Sequence, residues 1–164
     1  MKELTKIRDA VILALQEADL AAMAAYPPER MREYPQIVTT VDVGTAECGT
    51  LGFCNYLGEV YDQEKGTVLE LYGKQMGAEI LVDVRGVRAE ECQQGCQRVA
   101  EVLLGRLPSG IRTEELVWEG LHWEKETEMF LRRGRLRCQA VFVAKSDEEG
   151  EAFLDFHLKG VLTS

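Results

Sequence analysis

The chain has 164 residues, 46% hydrophobic and 29% charged, with a formal net charge of -9 and a pI of about 4.8. That length suits one domain able to bury a core without metal or disulfide staples, and the composition excludes disordered, collagen-like and low-complexity architectures. The acidity sets the chain against a phosphate backbone, so nucleic-acid binding is not expected, and no apolar run approaches the roughly 20 residues that span a bilayer.

The N-terminal MKELTKIRDAVILALQEADL mixes acidic residues with apolar ones, unlike a secretion signal, and points to a protein that stays in the cytoplasm where it is made. Residues 2 to about 25 predict one long helix, with Leu4, Ile7, Val11, Leu15, Ala18, Ala22 and Ala25 on one side and Pro27-Pro28 ending it. After a polar connector, Ile37 to Val43 is rich in β-branched residues and reads as a strand. The periodicity then fails. Residues 44–66 carry several glycines and isolated aromatics, Phe53, Tyr56 and Tyr61 among them, which predicts a long loop excursion ordered mainly by contacts.

Thr67 to Tyr72 and Glu79 to Val84 predict two strands joined by a GKQMG turn. Val87 to Leu107 is the clearest amphipathic helix: Cys92, Cys96, Val99, Ala100, Leu103, Leu104 and Leu107 recur at helical spacing, and LPSG stops the ladder. Glu114 to Trp123 reads as a strand covered on both sides, because Val117, Leu121 and Trp123 alternate with Leu116 and Trp118. Arg135 to Ala144 alternates cleanly, with Leu136, Cys138, Ala140 and Phe142 inward, and Ala152 to Val161 is expected to return and pair antiparallel with it. The sum is a single α+β domain over 1–164: a mostly antiparallel or mixed sheet of about five to six strands, a long N-terminal helix, and a second helix packed on one face.

Little chemistry accompanies this frame. Five cysteines, at 48, 54, 92, 96 and 138, are odd in number and lack zinc-knuckle CxxC spacing, so they read as reduced thiols, Cys92 and Cys96 acting as small apolar groups on one helix face. A zinc site joining Cys48 and Cys54 to His122 or Cys138 is the competing reading, as part of a zinc- or thiol-dependent enzyme. His122 and His157 sit inside strands with no GxSxG elbow to serve, and the strand-to-helix junction DVRGVRAEE lacks the glycines of a phosphate loop. A module binding a small ligand between helix and sheet, near Trp118 and Trp123, is a further alternative. No catalytic residue, metal or cofactor is expected. Arg132, Arg133, Arg135 and Arg137 form a basic patch just after Glu124, Glu126 and Glu128. It reads either as a charged strand edge that resists aggregation or as a rim where one subunit's arginines meet another's acids.

The stretches LELYGKQMGAEILVDVRG, CQQGC, LPSGI, MFLRRGRLRCQAVFVA and FLDFHLKGVL together resemble minor structural proteins of tailed bacteriophages and prophages, of the tail terminator, tail-completion or head-tail joining type. The resemblance covers roughly residues 67–161 and carries no diagnostic motif. It implies a curved sheet with one or two helices, self-association into a hexameric ring, and contacts with tail-tube and head-connector proteins. It also implies a place in the host cytoplasm during assembly and then in the virion tail, with no membrane role and no enzymatic activity. A connector or baseplate component would look similar. On this reading the subunit-contact candidates are Arg132, Arg133, Arg135, Arg137, Phe53 and Tyr56.

Overall fold

A computed structural model describes residues 2–26, 37–50, 56–145 and 156–161. The elements in chain order are α1 (Lys2–Glu17), β1 (Ala21–Met23), β2 (Val38–Thr50), β3 (Tyr56–Asp62), β4 (Thr67–Gly86), α2 (Ala89–Gly105), β5 (Ile111–Trp118), β6 (His122–Glu124), β7 (Met129–Lys145) and β8 (His157–Leu158). The architecture is α+β, with two helices and one mixed, mostly antiparallel sheet among the described residues. The sheet has eight strands, more than the five to six expected.

Its frame is the pair of long strands β4 and β7, of 20 and 17 residues, antiparallel and in register from Leu71↔Lys145 to Gly86↔Phe130. Shorter strands lie end to end along their outer edges. β2 and then β3 pair with β4, while β8, β5 and β6 pair with successive parts of β7. β1 adds a parallel pairing, Ala21↔Val38 to Met23↔Thr40.

Several expectations from the sequence are corrected. The helix predicted over 2–25 stops at Glu17. Asp19 adopts a left-handed φ of 61°, the Asp19 amide donates to the Gln16 carbonyl, and the Leu20 amide donates to the Leu15 carbonyl. That is a Schellman stop, with Leu20 and Leu15 both buried, and it outweighs the helix propensity of the alanines that follow. Those alanines form β1 instead. The GKQMG stretch is no turn, and the two strands predicted on either side of it are one. Lys74, Met76 and Ala78 continue the alternation, and Gly77 gives room to the Gln139 side chain, whose Nε2 would lie 3.2 Å from an added Cβ. The loop predicted over 44–66 is largely strand, because β2 runs on to Thr50 past an irregularity between Val43 and Ala46, and β3 begins at Tyr56. Ladder bonds to β4, not side-chain periodicity, hold both.

Both helices cover the same sheet face. From α1, Ile7, Val11 and Leu15 are buried; from α2, Cys92, Cys96, Val99, Val102 and Leu103; from the sheet, Val41, Ile80, Val82, Val84, Leu136, Cys138, Ala140 and Phe142. Leu104, expected inward, is exposed, and Val102 takes the buried position. Gly95 explains how closely α2 sits: a Cβ there would lie 2.4 Å from Ile37 Cδ1. The Thr113 hydroxyl donates to the Leu103 carbonyl at 2.9 Å and satisfies one orphan acceptor at the α2 C-terminus. Among the described residues, the opposite sheet face has no helix. Val117 on β5, opposite Arg135 on that face, is accordingly half exposed, which corrects the expectation of a strand covered on both sides.

The C-terminal segment returns to this body. Gly110 N–H donates to Lys159 C=O at 2.8 Å, and Lys159 N–H donates to Val141 C=O at 2.9 Å. The Lys6 ammonium donates to the Phe156 carbonyl, and Lys74 lies 4.3 Å above the Phe156 ring while pairing with Glu3 at 2.7 Å. The antiparallel return expected for 152–161 is present at His157 and Leu158; residues 151–155 lie outside the described residues.

Candidate interaction surfaces

The arginine strand divides between the two faces of the sheet. Alternation along β7 puts Arg133, Arg135 and Arg137 on the helix-free face, where the adjoining strands supply a carboxylate for each. Arg133 makes a bidentate pair with Asp83, Nε to Oδ1 at 2.7 Å and Nη2 to Oδ2 at 3.0 Å. Arg135 reaches Glu119 at 2.7 Å and Glu79 at 3.1 Å, and Arg137 reaches Glu115 at 3.4 Å. Arg85 extends the row, pairing with Glu124 at 2.9 Å and donating to Thr40 Oγ1 at 3.0 Å. Arg132 is separate: its Nε donates to the Glu119 carbonyl at 2.8 Å, and its guanidinium lies 5.9 Å from the Trp118 ring centroid. Cross-strand pairs of opposite charge stabilise a sheet by a few tenths of a kcal/mol to about 1 kcal/mol each. A row of them also makes this face hydrophilic enough to stand in water without a second layer.

The charge of the strand is therefore met within the chain. The guanidinium of Arg133 is held above its usual range first by its hydrogen bond to Asp83. Burial pushes the Glu124 carboxyl up, but hydrogen bonds from Arg85 and Thr127 and the charge of Arg85 outweigh this and hold it below the usual carboxylate range.

No family model matches this chain, and no curated protein matches it significantly.

The second surface is the β3–β4 hairpin. Tyr56, which the sequence singled out, opens it; Phe53, its companion candidate, lies outside the described residues. No residue of β3 is buried, nor is any of Thr67–Tyr72 on β4, and among the described residues β3 pairs with β4 alone. Register places Tyr56 opposite Tyr72, Glu59 opposite Glu70, and Tyr61 opposite Val68, so all six share one side. The two rings of the first pair meet edge to face, with centroids 5.6 Å apart. Tyr61 is 61% exposed and Val68 58%, and Leu57 at the irregularity beside Tyr56 is also exposed. This side continues the helix-covered face of the body into a region where the described residues put no helix over it. The sequence signal was present in the alternation of Val68, Glu70 and Tyr72, but strands 67–72 and 79–84 looked alike before the helices were placed.

A third surface is a groove of about 230 Å³ between α1 and the returning C-terminal segment, lined by Ala10, Leu13, Leu158 and Val161 with Lys6 and Asp9 at its edge. Leu13 is half exposed there.

Among the described residues the thiols form no cluster beyond the Cys92–Cys96 pair. Cys92, Cys96 and Cys138 are buried, Cys48 is exposed, and Cys54 lies outside the described residues. The Cys92 thiol donates to the Val84 carbonyl at 3.3 Å. Cys96 is held as a thiol by its hydrogen bond to Cys92 and by burial, and burial pushes Cys138 up to about 11. No group of three or more His, Cys, Asp or Glu with metal-holding geometry occurs among the described residues. The His122 ring meets the Gly120 carbonyl at 3.5 Å, and His157 of β8 pairs in the ladder with Val143 of β7.

Proposed function

We propose that this protein is a structural subunit of a phage or prophage tail, of the tail terminator or tail-completion kind, working as a homo-oligomeric ring at the head-tail junction without catalysing a reaction. The observation that carries the proposal is the β3–β4 hairpin, which offers Tyr56, Leu57, Tyr61 and Val68 to solvent. Exposed apolar side chains gathered on one element, not scattered singly, mark a surface built to meet another molecule. The resemblance over residues 67–161 supplies the class of assembly. The groove beside α1, with Leu13 and Val161, gives a second and different contact surface, and a head-to-tail ring needs two unlike surfaces on each subunit.

The arginines, first read as a rim that meets a neighbour's acids, have a narrower role in this proposal. Because Asp83, Glu79, Glu119 and Glu115 already hold three of them, they shape and solubilise one face, and contact with a neighbour falls to the hairpin and the helical side.

Sedimentation velocity over a wide concentration range, alone and with purified tail tubes, tests the proposal. Concentration-dependent assembly or co-sedimentation with tubes, weakened by Tyr61→Ser with Val68→Ser, is the expected result. A strict monomer under every condition overturns it.

A further inference from the structure

We propose that the β3–β4 hairpin of one copy seats in the trough beside α1 of the next copy, so that a single kind of head-to-tail contact joins neighbouring subunits. The inference rests on the assembly reading and names which surface meets which. The trough is longer than the groove at Leu13 alone. A second cavity, of about 370 Å³, lies beside the first and shares Ala10, Leu13 and Val161 with it, adding Leu107 and Pro108 from the turn after α2. Leu13 is 51% exposed and Val161 37%, so an apolar channel runs along the outer side of α1 with nothing over it among the described residues. Apolar surface gathered in this way favours a partner that covers it.

Charge and direction select the occupant. The hairpin is acidic, carrying Glu59, Asp62, Glu64 and Glu70 against Lys65. The trough carries Lys6 and Arg106 against Asp9 and Glu17, and Asp9 is itself held by Arg8 at 3.0 Å. In a chain of net charge -9 the trough is thus slightly basic, and the two surfaces suit each other better than either suits its own like. A hairpin cannot reach its own trough. Glu3, in the first turn of α1, pairs with Lys74, while β1, just past the end of α1, pairs with Val38 to Thr40, which lie opposite Arg85 to Asp83. α1 therefore runs along the sheet in the same direction as β4, and the hairpin projects beyond its N-terminal end. Leu13 lies the other way, about 15 Å along the helix from Glu3. The contact is therefore between copies, with Tyr61 and Val68 over Leu13, Leu107 and Val161, and the acids of the hairpin beside Lys6 and Arg106. Two unlike surfaces that pair in this way repeat from copy to copy and close a ring when the rotation between neighbours allows it.

The test is sedimentation velocity on two variants of the full chain, singly and mixed. Tyr61→Ser with Val68→Ser spoils the hairpin and keeps the trough. Leu13→Glu spoils the trough and keeps the hairpin, with Val161→Glu as a second trough variant should the first lose thermal stability. Each alone should self-associate more weakly than the unaltered chain by about tenfold or more. An equimolar mixture should form a heterodimer that grows no further, because one intact hairpin meets one intact trough. Arg106→Glu added to the hairpin variant should weaken that heterodimer by about threefold or more. Undiminished association by the trough variants, or a mixture that associates no better than its components, overturns the proposal and leaves ring assembly through other surfaces standing. An unaltered chain that stays monomeric by itself overturns it too; binding of that monomer to tail tubes then preserves the assembly reading, and absence of binding removes both.

Discussion

The two halves of β4 are one strand in two environments. From Met76 to Val84 every second residue is sealed under the helices, with Met76 1% exposed and Ile80, Val82 and Val84 at 0%. From Thr67 to Tyr72 the same alternation continues with the same backbone bonding, yet Val68 stands 58% exposed. Ladder bonds to β2 and β7 in one half, and to β3 in the other, are enough to make the strand. Burial is a separate matter, decided by what lies above. The lower half has its covering layer within the chain; the upper half has apolar side chains whose covering, in the proposed assembly, comes from another molecule.

That contrast can be broken most forcefully at the core. Leu136→Ala, opposite Ile80 in the covered region, should cost about 2–5 kcal/mol in denaturant unfolding, whereas Val68→Ala should stay within about 0.5 kcal/mol. Similar losses at both positions would mean that the hairpin is packed as tightly as the body. Gly95→Ala comes next: the added methyl meets Ile37 within the α2–sheet contact, and overpacking of this kind costs about 1–3 kcal/mol, visible as a fall in Tm.

On the helix-free face, Asp83→Asn leaves Arg133 with a neutral partner. Discounted for the partial exposure of the guanidinium, the loss is about 1 kcal/mol, and a double-mutant cycle with Arg133→Gln should assign most of it to the pair. The smallest effect is in pH dependence. The Glu3 carboxyl is lowered first by its hydrogen bond from Lys74, and Glu124 is lowered by Arg85 and Thr127 against its burial. A carboxyl with a depressed folded-state pKa stabilises fully above its unfolded value, near 4.5, and loses that contribution as pH falls through the folded value. Tm should therefore drop as pH descends below about 4.5, and Glu124→Gln should make the acid limb shallower. An unchanged acid limb would remove Glu124 from the account.

The sequence carried the body of the fold wherever side-chain period and burial coincide. Leu136, Cys138, Ala140 and Phe142 are inward as their alternation required, and Cys92, Cys96, Val99 and Leu103 are the buried stripe of α2. It misled where backbone bonding acts without a side-chain pattern. The alanines after Asp19 have helix propensity, but a single left-handed residue ends the helix, and the parallel partner at Val38 to Thr40 makes them a strand. Glycines at 73 and 77 looked like a turn because nothing local reveals that Gly77 is making room for Gln139 from a strand over sixty residues away. The hairpin shared this difficulty. Tyr56 was singled out, but its register against Tyr72, and with it the Glu59↔Glu70 pair, depends on an irregularity at Leu57 that no periodicity shows. The arginines were visible as a cluster, while their carboxylates are scattered from Glu79 to Glu119 and meet them only through sheet pairing.

The pairing of β4 with β7 also sets the order in which this chain can be made. More than forty residues separate the end of β4 at Gly86 from the start of β7 at Met129, and the register joins residues 44 apart at one end and 74 apart at the other. A nascent chain must carry a finished β4 out of the ribosome well before its main partner is synthesised, and loop closure over such spans is slow. For that interval the apolar side of β4 lacks β7 and depends on earlier elements such as α1, and on the emerging α2, to shield it from other nascent chains.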